Sequence, residues 1–415
     1  MAKYLLLGNG FDLHHNLPTL YIDVLHMFVF LENKSFDNEG SISIGSLLSS
    51  YVSEYSDDTR MRDFYQLHKE HLNSVQISKA TLSEYVKKLK NNCWYKYICH
   101  SYQCDISWVD FEQIIAEVLD VFRNQFELET QHYNLPLVFD ADSKWKFFAC
   151  FDNIYVMKDE WFEYRTEFLT KKIYEDKKRL QLPEIVEALY LSLVEFQELL
   201  SFYFEYFIDK TIPALFPSTA LDFLSDVSFV VNLNYTSTYE TLYHIKGSTT
   251  RITYYHGKAT AQNIVLGIQS SVEDEYHNGR FPDTMFIKFK KFYQRINGNC
   301  DVQYVDFVSH KKEYEKKYGN NAYFKKQLEE HPHQLVVLGH SLDVTDNDII
   351  KSLFALCGDI SVYYHDNDAY GKYIVNLTKI FGRSDFEEMR NCGKIKFVKL
   401  EPYNPKIKEQ INDQL

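Results

Sequence analysis

The stretch Tyr4-Leu5-Leu6-Leu7-Gly8-Asn9-Gly10-Phe11-Asp12 decides the fold, because a short apolar run ends at once in a glycine-rich turn. Such a run is typical of a strand buried on both faces of a parallel sheet. Two glycines at positions i and i+2 let the backbone turn tightly and approach a pyrophosphate. The third glycine of the dinucleotide-binding fingerprint is replaced by Leu13. A plain structural turn is therefore the alternative for this motif.

Further apolar runs along the chain indicate that the first strand belongs to a larger parallel sheet. They predict strands at 227–231, 335–338, 360–364 and 395–398, with helices at 347–356 and 370–389 between the last three. Alternation of strand and helix indicates crossover units of a parallel sheet. Two shorter strands are expected at 252–255 and 264–266. The predicted fold class is α/β, with a Rossmann-type parallel sheet.

About two hundred residues between the first and second strands have helical character and no clear strand signal. The expected helices are 82–99, 108–126, 161–178 and 183–208. This stretch is rich in the chain's 31 Phe and 32 Tyr residues, which recur at the spacing of a core-facing helix. The simplest organisation is a nucleotide-binding α/β core at 1–34 and 210–415, with a helical insertion at 35–209.

Composition and charge exclude several classes of protein. The net charge of −13 repels a polyanion, so bulk nucleic-acid binding is disfavoured. Seven cysteines without paired C-x-x-C spacing favour reduced thiols in the cytosol and no structural metal. The apolar run at the N-terminus is too short for a signal peptide, and 185–208 carries four glutamates, which a membrane span would not tolerate. We expect a cytoplasmic protein without membrane contact.

A basic run at 284–295, with Lys288, Lys290, Lys291 and Arg295, predicts a charged helix. A solvated helix face is one interpretation of it. The other is a phosphate-facing rim on an otherwise acidic protein. A second charged stretch follows at 310–317.

Polar residues follow the strand expected at 227–231, in the segment Asn232-Leu233-Asn234-Tyr235-Thr236. Ligands of open parallel sheets bind at the carboxyl ends of the strands, so these side chains are candidates for a binding site. Asparagine at this position can equally cap a following helix.

Two further motifs also stand at strand ends. His256-Gly257 follows the strand at 252–255, and a histidine there can act as a general base because its pKa lies near neutral pH. Its alternative is a hydrogen-bonded structural histidine. Gly339-His340-Ser341-Leu342-Asp343, with Asp346 beyond, follows the strand at 335–338. This motif suits nucleotide contact, and it is not a nucleophile elbow, because Asp343 stands where that motif needs glycine.

Two groups that contain histidine or cysteine are candidate metal ligands. They are His331-Pro332-His333 and the set Cys99, His100 and Cys104. Neither has the paired spacing of a known metal site, so no metal is expected.

Taken in order, four segments resemble the AbiH family of bacterial phage abortive-infection proteins. They are GNGFDLHHNLPTLY at 8–21, NLNYTSTYE at 232–240, YYHG at 254–257 followed by VLG, and VLGHSLDVTD at 337–346. Trp108, Asp110 and Glu112 also resemble the family's internal W-x-D-x-E element. The resemblance runs from Gly8 to Asp346. It implies a role in anti-phage defence, with a phage-derived trigger and self-association into a homo-oligomer as options.

At greater distance the same ordered set is similar to sirtuin-like NAD-binding domains. That similarity implies that Gly8 and Gly10 form the glycine turn and that the Asn234 amide lies beside the nicotinamide ribose. It also implies that His256 is the catalytic base and that Gly339 and Ser341 form the turn under the adenosine side. The expected catalytic pair is Asn234 and His256. The expected ligand-binding residues are Gly8, Asn9, Gly10, Phe11, Asp12, Thr236, Gly339, His340, Ser341 and Asp346.

Departures from the sirtuin pattern limit what can be carried over. Thr236 stands where sirtuins have Asp, and Asn9 and Asp12 replace small residues of their first loop. The four-cysteine zinc ribbon of deacetylases is absent from the sequence, so deacetylation is not expected. We expect NAD or a related nucleotide as the small-molecule ligand, with hydrolysis of the bond to nicotinamide as its reaction. The alternatives are a non-catalytic nucleotide-binding sensor and a metal-dependent nuclease built on Asp12, Asp346 and the strip at 288–295.

Overall fold

A computed structural model describes residues 2–101, 108–131, 147–158, 161–171, 178–224, 226–245, 247–269, 283–300 and 332–406. The strands of this part of the chain are β1 (Lys3–Leu7), β2 (Ser41–Ser43), β3 (Gln76–Ser78), β4 (Tyr155–Lys158), β5 (Trp161–Tyr164), β6 (Leu169–Lys171), β7 (Lys178–Leu180), β8 (Phe229–Asn232), β9 (Arg251–Tyr254), β10 (Gln334–Leu338), β11 (Asp359–Tyr364) and β12 (Ile395–Lys399). The α-helices are α1 (Gly10–His14), α2 (Tyr21–Glu32), α3 (Ile44–Glu54), α4 (Thr59–Ser74), α5 (Lys79–Asn91), α6 (Cys93–Ser101), α7 (Trp108–Gln131), α8 (Leu182–Tyr203), α9 (Thr238–Leu242), α10 (Lys291–Asn297), α11 (Asn347–Leu356), α12 (Asn367–Phe381) and α13 (Arg383–Asn391).

The central sheet has six strands in the order β9-β8-β1-β10-β11-β12, and every neighbouring pair is parallel. Numbered along the chain, this order is 3-2-1-4-5-6, the doubly wound arrangement of Rossmann folds. The strand order reverses between β1 and β10, which pair from Lys3↔Gln334 to Leu7↔Leu338. The predicted α/β class with a Rossmann-type parallel sheet is confirmed, and its switch point lies at the carboxyl ends of β1 and β10.

Side chains of β1 alternate between the two faces of the sheet, and both faces are covered. Tyr4 and Leu6 pack in an apolar cluster with residues of α11 and α12. Leu5 and Leu7 pack in a second cluster that includes Phe11 of α1 and Tyr239 of α9. Burial on both faces explains why this strand is a continuous apolar run rather than an alternating one.

The chain between β1 and β8 builds a third and larger apolar cluster. It contains side chains from α2 to α8, many of them aromatic, such as Phe28, Trp94 and Phe196. Helices predicted at 108–126 and 183–208 are present as α7 and as α8, which continues into a π-helical turn at Phe204–Asp209. Residues of α2 lie in the same cluster as this stretch. The boundaries proposed for core and insertion remain predictions.

Strands occur in this stretch although none was predicted there. The described residues contain three antiparallel pairs, β2 with β3, β4 with β5 and β6 with β7. The helix expected at 161–178 is wrong, because β5, a 3-10 turn at Thr166–Phe168 and β6 occupy its described residues. The sequence of β5, Trp-Phe-Glu-Tyr, is rich in aromatic residues, which favour strands.

Two predicted helices are each broken once. The helix at 82–99 is divided at Asn92, whose side-chain Oδ1 accepts a hydrogen bond from the Tyr95 N–H (3.0 Å) and so caps the start of α6. The helix at 370–389 is divided at Gly382, which has φ +79°. A left-handed residue ends α12 and lets α13 begin in a new direction.

The region between β9 and β10 departs furthest from prediction. No strand forms at 264–266, because the Gln294 side chain bonds both the N–H (2.8 Å) and the carbonyl (3.0 Å) of Leu266. The basic helix expected at 284–295 is a 3-10 segment, Asp283–Phe289, followed by α10.

Among the described helices, none combines the length and the hydropathy needed to cross a bilayer.

Candidate functional site

The turns after β1 and β10 pack backbone against backbone at the switch point of the sheet. The N–H of Gly10 donates to the carbonyl of Gly339 (2.8 Å), and that of Gly8 donates to the carbonyl of Leu338 (3.1 Å). A Cβ added to Gly8 would lie 2.5 Å from the Cα of His340, and one added to Gly10 would lie 2.7 Å from the Cα of Gly339. The two glycines are therefore required by loop packing alone. Their role as a pyrophosphate cradle remains a prediction.

The motif after β8 joins these turns. The Asn234 side-chain Nδ2 donates to the carbonyl of Gly8 (3.0 Å), while the Asn234 N–H donates to Oδ1 of Asn232 (2.9 Å). Asn234 is buried, and its amide holds the glycine turn in place. The structure thus brings together three of the predicted segments.

Asp12 is a buried carboxyl group beside the same motif. Its Oδ2 accepts a hydrogen bond from the Thr236 hydroxyl (2.6 Å), and that hydroxyl oxygen accepts one from the hydroxyl of Thr238 (3.2 Å). Its Oδ1 is buried without a hydrogen-bond partner. Burial raises the pKa of Asp12 to about 7, although the two threonine hydroxyls oppose the rise. Near neutral pH this carboxyl group can either hold or release a proton.

Asp209 is a second buried carboxyl group in this part of the site, and no sequence motif singled it out. It ends the π-helical turn that follows α8. Its Oδ1 accepts hydrogen bonds from the N–H (2.7 Å) and the hydroxyl (3.0 Å) of Ser237, and its Oδ2 is buried without a partner. Burial raises the pKa of Asp209 to about 6, with Ser237 opposing the rise.

His256, Asp346 and His340 form the other half of the site, across the ends of β9 and β10. His256 Nε2 lies 3.0 Å from Asp346 Oδ1, and His340 Nε2 lies 3.3 Å from Asp346 Oδ2. The Leu342 N–H donates to His340 Nδ1 (2.9 Å), so the ring proton of His340 is on Nε2 and donates to the carboxylate. All three side chains are buried. One carboxylate thus orients two imidazoles.

Basic residues of α10 also contact this cluster, and Lys291 shares the Oδ1 atom of Asp346 with His256. The Lys291 ammonium lies 2.7 Å from Glu112 Oε1 and 3.0 Å from Asp346 Oδ1, and Lys291 is only 1% exposed. One turn further on, the Arg295 guanidinium donates to Asp348 Oδ2 (3.0 Å). A solvated face is therefore the wrong interpretation for Lys290, Lys291 and Arg295, which are buried. The phosphate-facing alternative is untested.

The charges of this cluster follow from burial and from pairing. Burial alone would raise the pKa of Asp346, but the Lys291 ammonium and the two imidazoles hold it well below its usual value. Burial raises the pKa of Glu112 to about 7, although Lys291 opposes the rise. Burial lowers the pKa of His256, against the pull of Asp346. Both shifts favour a neutral His256 imidazole beside an ionised Asp346 carboxylate near neutral pH.

Several predicted residues lie away from the cluster or contact it only through the backbone. Asn9 donates from its side chain to the carbonyl of Thr19 (3.0 Å), and the Phe11 ring packs in the apolar cluster on one face of the sheet. Ser341 is exposed. The side chains of Trp108 and Asp110 lie outside the described part of the chain. So do the side chain of His100, the residues Cys104 and His331, and the stretch 310–317.

Four buried polar atoms of the described residues have no hydrogen-bond partner here. They are Asp12 Oδ1, Asp209 Oδ2, Glu112 Oε2 and Arg295 Nη1. Buried polar groups in folded proteins are almost always hydrogen-bonded, so such atoms mark places where a polar ligand or water is expected. Three acceptors and one donor can bind hydroxyl or amide groups and one anionic oxygen.

Asp209 and Asp348 are site residues that sequence reasoning missed, whereas Lys291 and Arg295 were named in the basic run but were not assigned to this cluster. Lys291 and Arg295 have the i, i+4 spacing that places both on one face of a helix, and they contact Asp346 and Asp348. That spacing and the basic run itself are the local signals for the two residues. It also fits a solvent-exposed helix, so the sequence alone does not distinguish the two.

Comparison with known proteins identifies the family. Residues 4–364 match the sequence model of the family described as bacteriophage abortive infection AbiH. Searches of curated proteins and of solved structures gave no significant match. The family match contains all four polar motifs and Glu112. Because it covers most of the sequence, the chain belongs to the AbiH family of bacteriophage abortive infection proteins.

Proposed function

We propose that the protein acts in phage abortive infection by binding NAD or a related nucleotide at the carboxyl ends of β1, β8, β9 and β10. The abortive-infection role follows from the family, whereas the ligand is our proposal. The observation that carries it is the convergence of four polar motifs at the switch point of a doubly wound sheet, the usual ligand position in such folds. Unpartnered buried polar atoms at the same place support a polar ligand.

The residues present fit parts of NAD unequally. Asp12 Oδ1 and Asp209 Oδ2 are acceptors without donors, which suits ribose hydroxyls or the carboxamide of nicotinamide. Arg295 Nη1 is a donor without an acceptor, which suits a phosphate oxygen. The Gly10 N–H is already bonded to Gly339, so the glycine turn offers fewer donors to a pyrophosphate than the fingerprint implies.

His256 is the residue we propose to activate water. Its Nε2–H donates to Asp346, which leaves Nδ1 of the neutral ring to accept a proton from water. The water oxygen bonds to the anomeric carbon of the nicotinamide ribose, and the bond between that carbon and the pyridinium nitrogen breaks. The electron pair of the broken bond stays on nicotinamide, which leaves neutral. Asp346 then stabilises the imidazolium, as the carboxylate does in a catalytic triad.

Release of nicotinamide from NAD is the experiment that tests the enzymatic proposal. The purified protein is incubated with NAD, alone and with lysate of phage-infected cells, and nicotinamide is measured by chromatography. We expect release by the wild type and by His365→Ala, which changes an exposed histidine, and none by His256→Ala. Absence of nicotinamide release by the wild type under both conditions would contradict the proposal that the protein hydrolyses NAD.

A nucleotide-binding sensor is the second candidate, and the burial of the site favours it. Asp12, Asn234 and His256 are each less than a tenth exposed, which suits a ligand held for long periods. A sensor would bind NAD without ever releasing nicotinamide. A metal-dependent nuclease built on Asp12 and Asp346 is less favoured, because the Lys291 ammonium and two histidines already occupy the Asp346 carboxylate.

A further inference from the structure

Helix α7 lies in the long stretch between β1 and β8, yet one of its carboxylates reaches the candidate site. The side chain of Glu112 is only 13% exposed, and its Oε1 lies 2.7 Å from the Lys291 ammonium. Lys291 in turn contacts Asp346 at 3.0 Å, and Asp346 contacts His256 at 3.0 Å. A continuous chain of charged contacts thus leads from α7 to the imidazole.

We propose that Lys291 and Glu112 are positioning residues of the site, through which α7 controls the orientation and the proton affinity of His256. Lys291 fixes the carboxylate that orients His256 and His340. Glu112 competes with Asp346 for the same ammonium group. A displacement of α7 would therefore reach His256 through Lys291 and Asp346.

Burial makes this contact sensitive to its charges. Lys291 and Asp346 are almost fully buried, so their interaction is only weakly screened by water and salt. Removing one partner of a buried ion pair leaves the other charge uncompensated. Among the described residues, the charged or titratable groups near His256 include His340, which shares Asp346 with it, and Tyr255, whose ring centre lies 5.9 Å from that of His256. The Arg295 guanidinium lies 4.2 Å from the centre of the Tyr255 ring and pairs with Asp348.

Glu112 gives the contact a second feature. Its Oε2 is buried without a partner, so only one of its two oxygens is used by Lys291. When this carboxyl group gains or loses its proton, the charge beside Lys291 changes while the geometry can stay the same. We expect this change of charge to shift the NMR signals of the His256 ring nitrogens.

The test uses the full chain and needs no nucleotide, so its failure is distinguishable from failure of the proposed function. Histidine ring nitrogens are labelled with 15N, and their NMR shifts are followed with pH. His256→Ala and His340→Ala serve only to assign the signals. In the wild type we expect His256 to be neutral with its proton on Nε2, and to show a second, small inflection near pH 7 from Glu112.

Three variants separate the effects of Lys291 and Glu112 on the titration of His256. Lys291→Met should raise the apparent pKa of the His256–Asp346 pair, because a nearby positive charge is lost. Glu112→Gln should remove the inflection near pH 7 and leave the rest of the titration unchanged. Lys88→Met, which removes an exposed lysine paired with Glu198, should change nothing at His256.

The proposal is overturned if Lys291→Met titrates at His256 like Lys88→Met, or if the inflection persists in Glu112→Gln. Should Lys291→Met fail to fold, the Glu112→Gln result decides alone. Lys291→Arg then serves as the conservative variant, which is expected to keep the Nε2–H form of His256. Loss of that form in Lys291→Arg would contradict a role based on charge.

Discussion

Asp346 is a buried carboxylate that accepts hydrogen bonds from His256, His340 and Lys291. A buried ionised group is tolerated only when it is paired and hydrogen-bonded. Here the three donors supply that pairing, and they keep the carboxylate charged. The hydrogen bonds that stabilise this buried charge in the folded protein are therefore the same ones that orient both imidazoles.

Asp346→Asn should destabilise the protein strongly. Breaking a buried ion pair by removing one partner typically costs about 3–5 kcal/mol, since the remaining charge stays buried. Denaturant unfolding of the full chain measures the loss. Asp120→Asn is the control, because Asp120 is exposed and its pair with Arg123 is worth less than about 1 kcal/mol. Equal stabilities of the two variants would show that the Asp346 contacts contribute little.

Asp12 predicts a particular dependence of stability on pH. Its pKa is about 7 in the folded chain, against an ordinary value of 3.8. Between about pH 4 and pH 7 the folded state therefore keeps a proton on Asp12 that the unfolded state has lost. The stabilisation is complete below about pH 4 and is lost as pH rises through 7. The asparagine side chain of the variant Asp12→Asn does not titrate, so its contribution to the free energy of unfolding does not fall as pH rises. Relative to the wild type it should gain a few kcal/mol between pH 5 and pH 8, at about 1.4 kcal/mol for each pKa unit.

Unfolding curves at several pH values test this prediction. The control is Asp222→Asn, since Asp222 is 58% exposed and pairs with Lys406. The relative stability of that variant should not change with pH in this range. If Asp12→Asn also keeps a constant difference from the wild type, Asp12 is ionised throughout, and it cannot serve as a protonated hydrogen-bond donor near neutral pH.

At the scale of elements, the contact between the turns after β1 and β10 fixes the geometry of the site. Gly339 has φ +70°, and an added Cβ would lie 2.1 Å from the Phe11 nitrogen. Gly371 lies in α12 with nothing within 4 Å of an added Cβ. Replacement by alanine is therefore expected to have opposite effects on stability at Gly339 and at Gly371.

Gly339→Ala should destabilise the protein, by about 1–3 kcal/mol for the backbone conformation and further for the clash. Gly371→Ala should stabilise it by about 0.5–1 kcal/mol, because alanine is favoured inside a helix. Thermal unfolding of both variants measures the difference. The same sign of change in the two would contradict the close packing of the two turns.

The sheet was predictable element by element, because its strands are apolar runs that end in polar turns. Each of its six predicted strands, such as 360–364 for β11, is confirmed to within about two residues. The strand expected at 264–266 failed for a reason invisible in local sequence, the bonding of Leu266 by the distant Gln294 side chain. The helix expected at 161–178 failed because tertiary packing of aromatic residues favoured hairpins over helix.

At the scale of the whole molecule, the candidate site joins segments that are far apart in the sequence. Glu112, Lys291 and Asp346 meet in one buried cluster although more than 50 residues separate each from the next. The polar motifs at strand ends were predictable, because each follows an apolar run. For Lys291 and Arg295 the sequence left two interpretations open, because a basic helix gives the same pattern whether it faces solvent or a buried carboxylate.

The net charge of −13 also acts on the whole molecule. A small nucleotide carries few negative charges and can be held by local donors such as Arg295, whereas a polynucleotide meets the full repulsion. The charge balance therefore favours the proposed small ligand over a polynucleotide.

Calorimetric titration of the full chain with NAD tests the central claim most directly. We predict saturable binding by the wild type and by Asn33→Ala, a change of an exposed asparagine. Asn234→Ala should bind at least about tenfold more weakly, a loss of about 1.4 kcal/mol, because its amide holds the glycine turn. No saturable binding by the wild type, or equal affinities of Asn234→Ala and Asn33→Ala, would contradict the account.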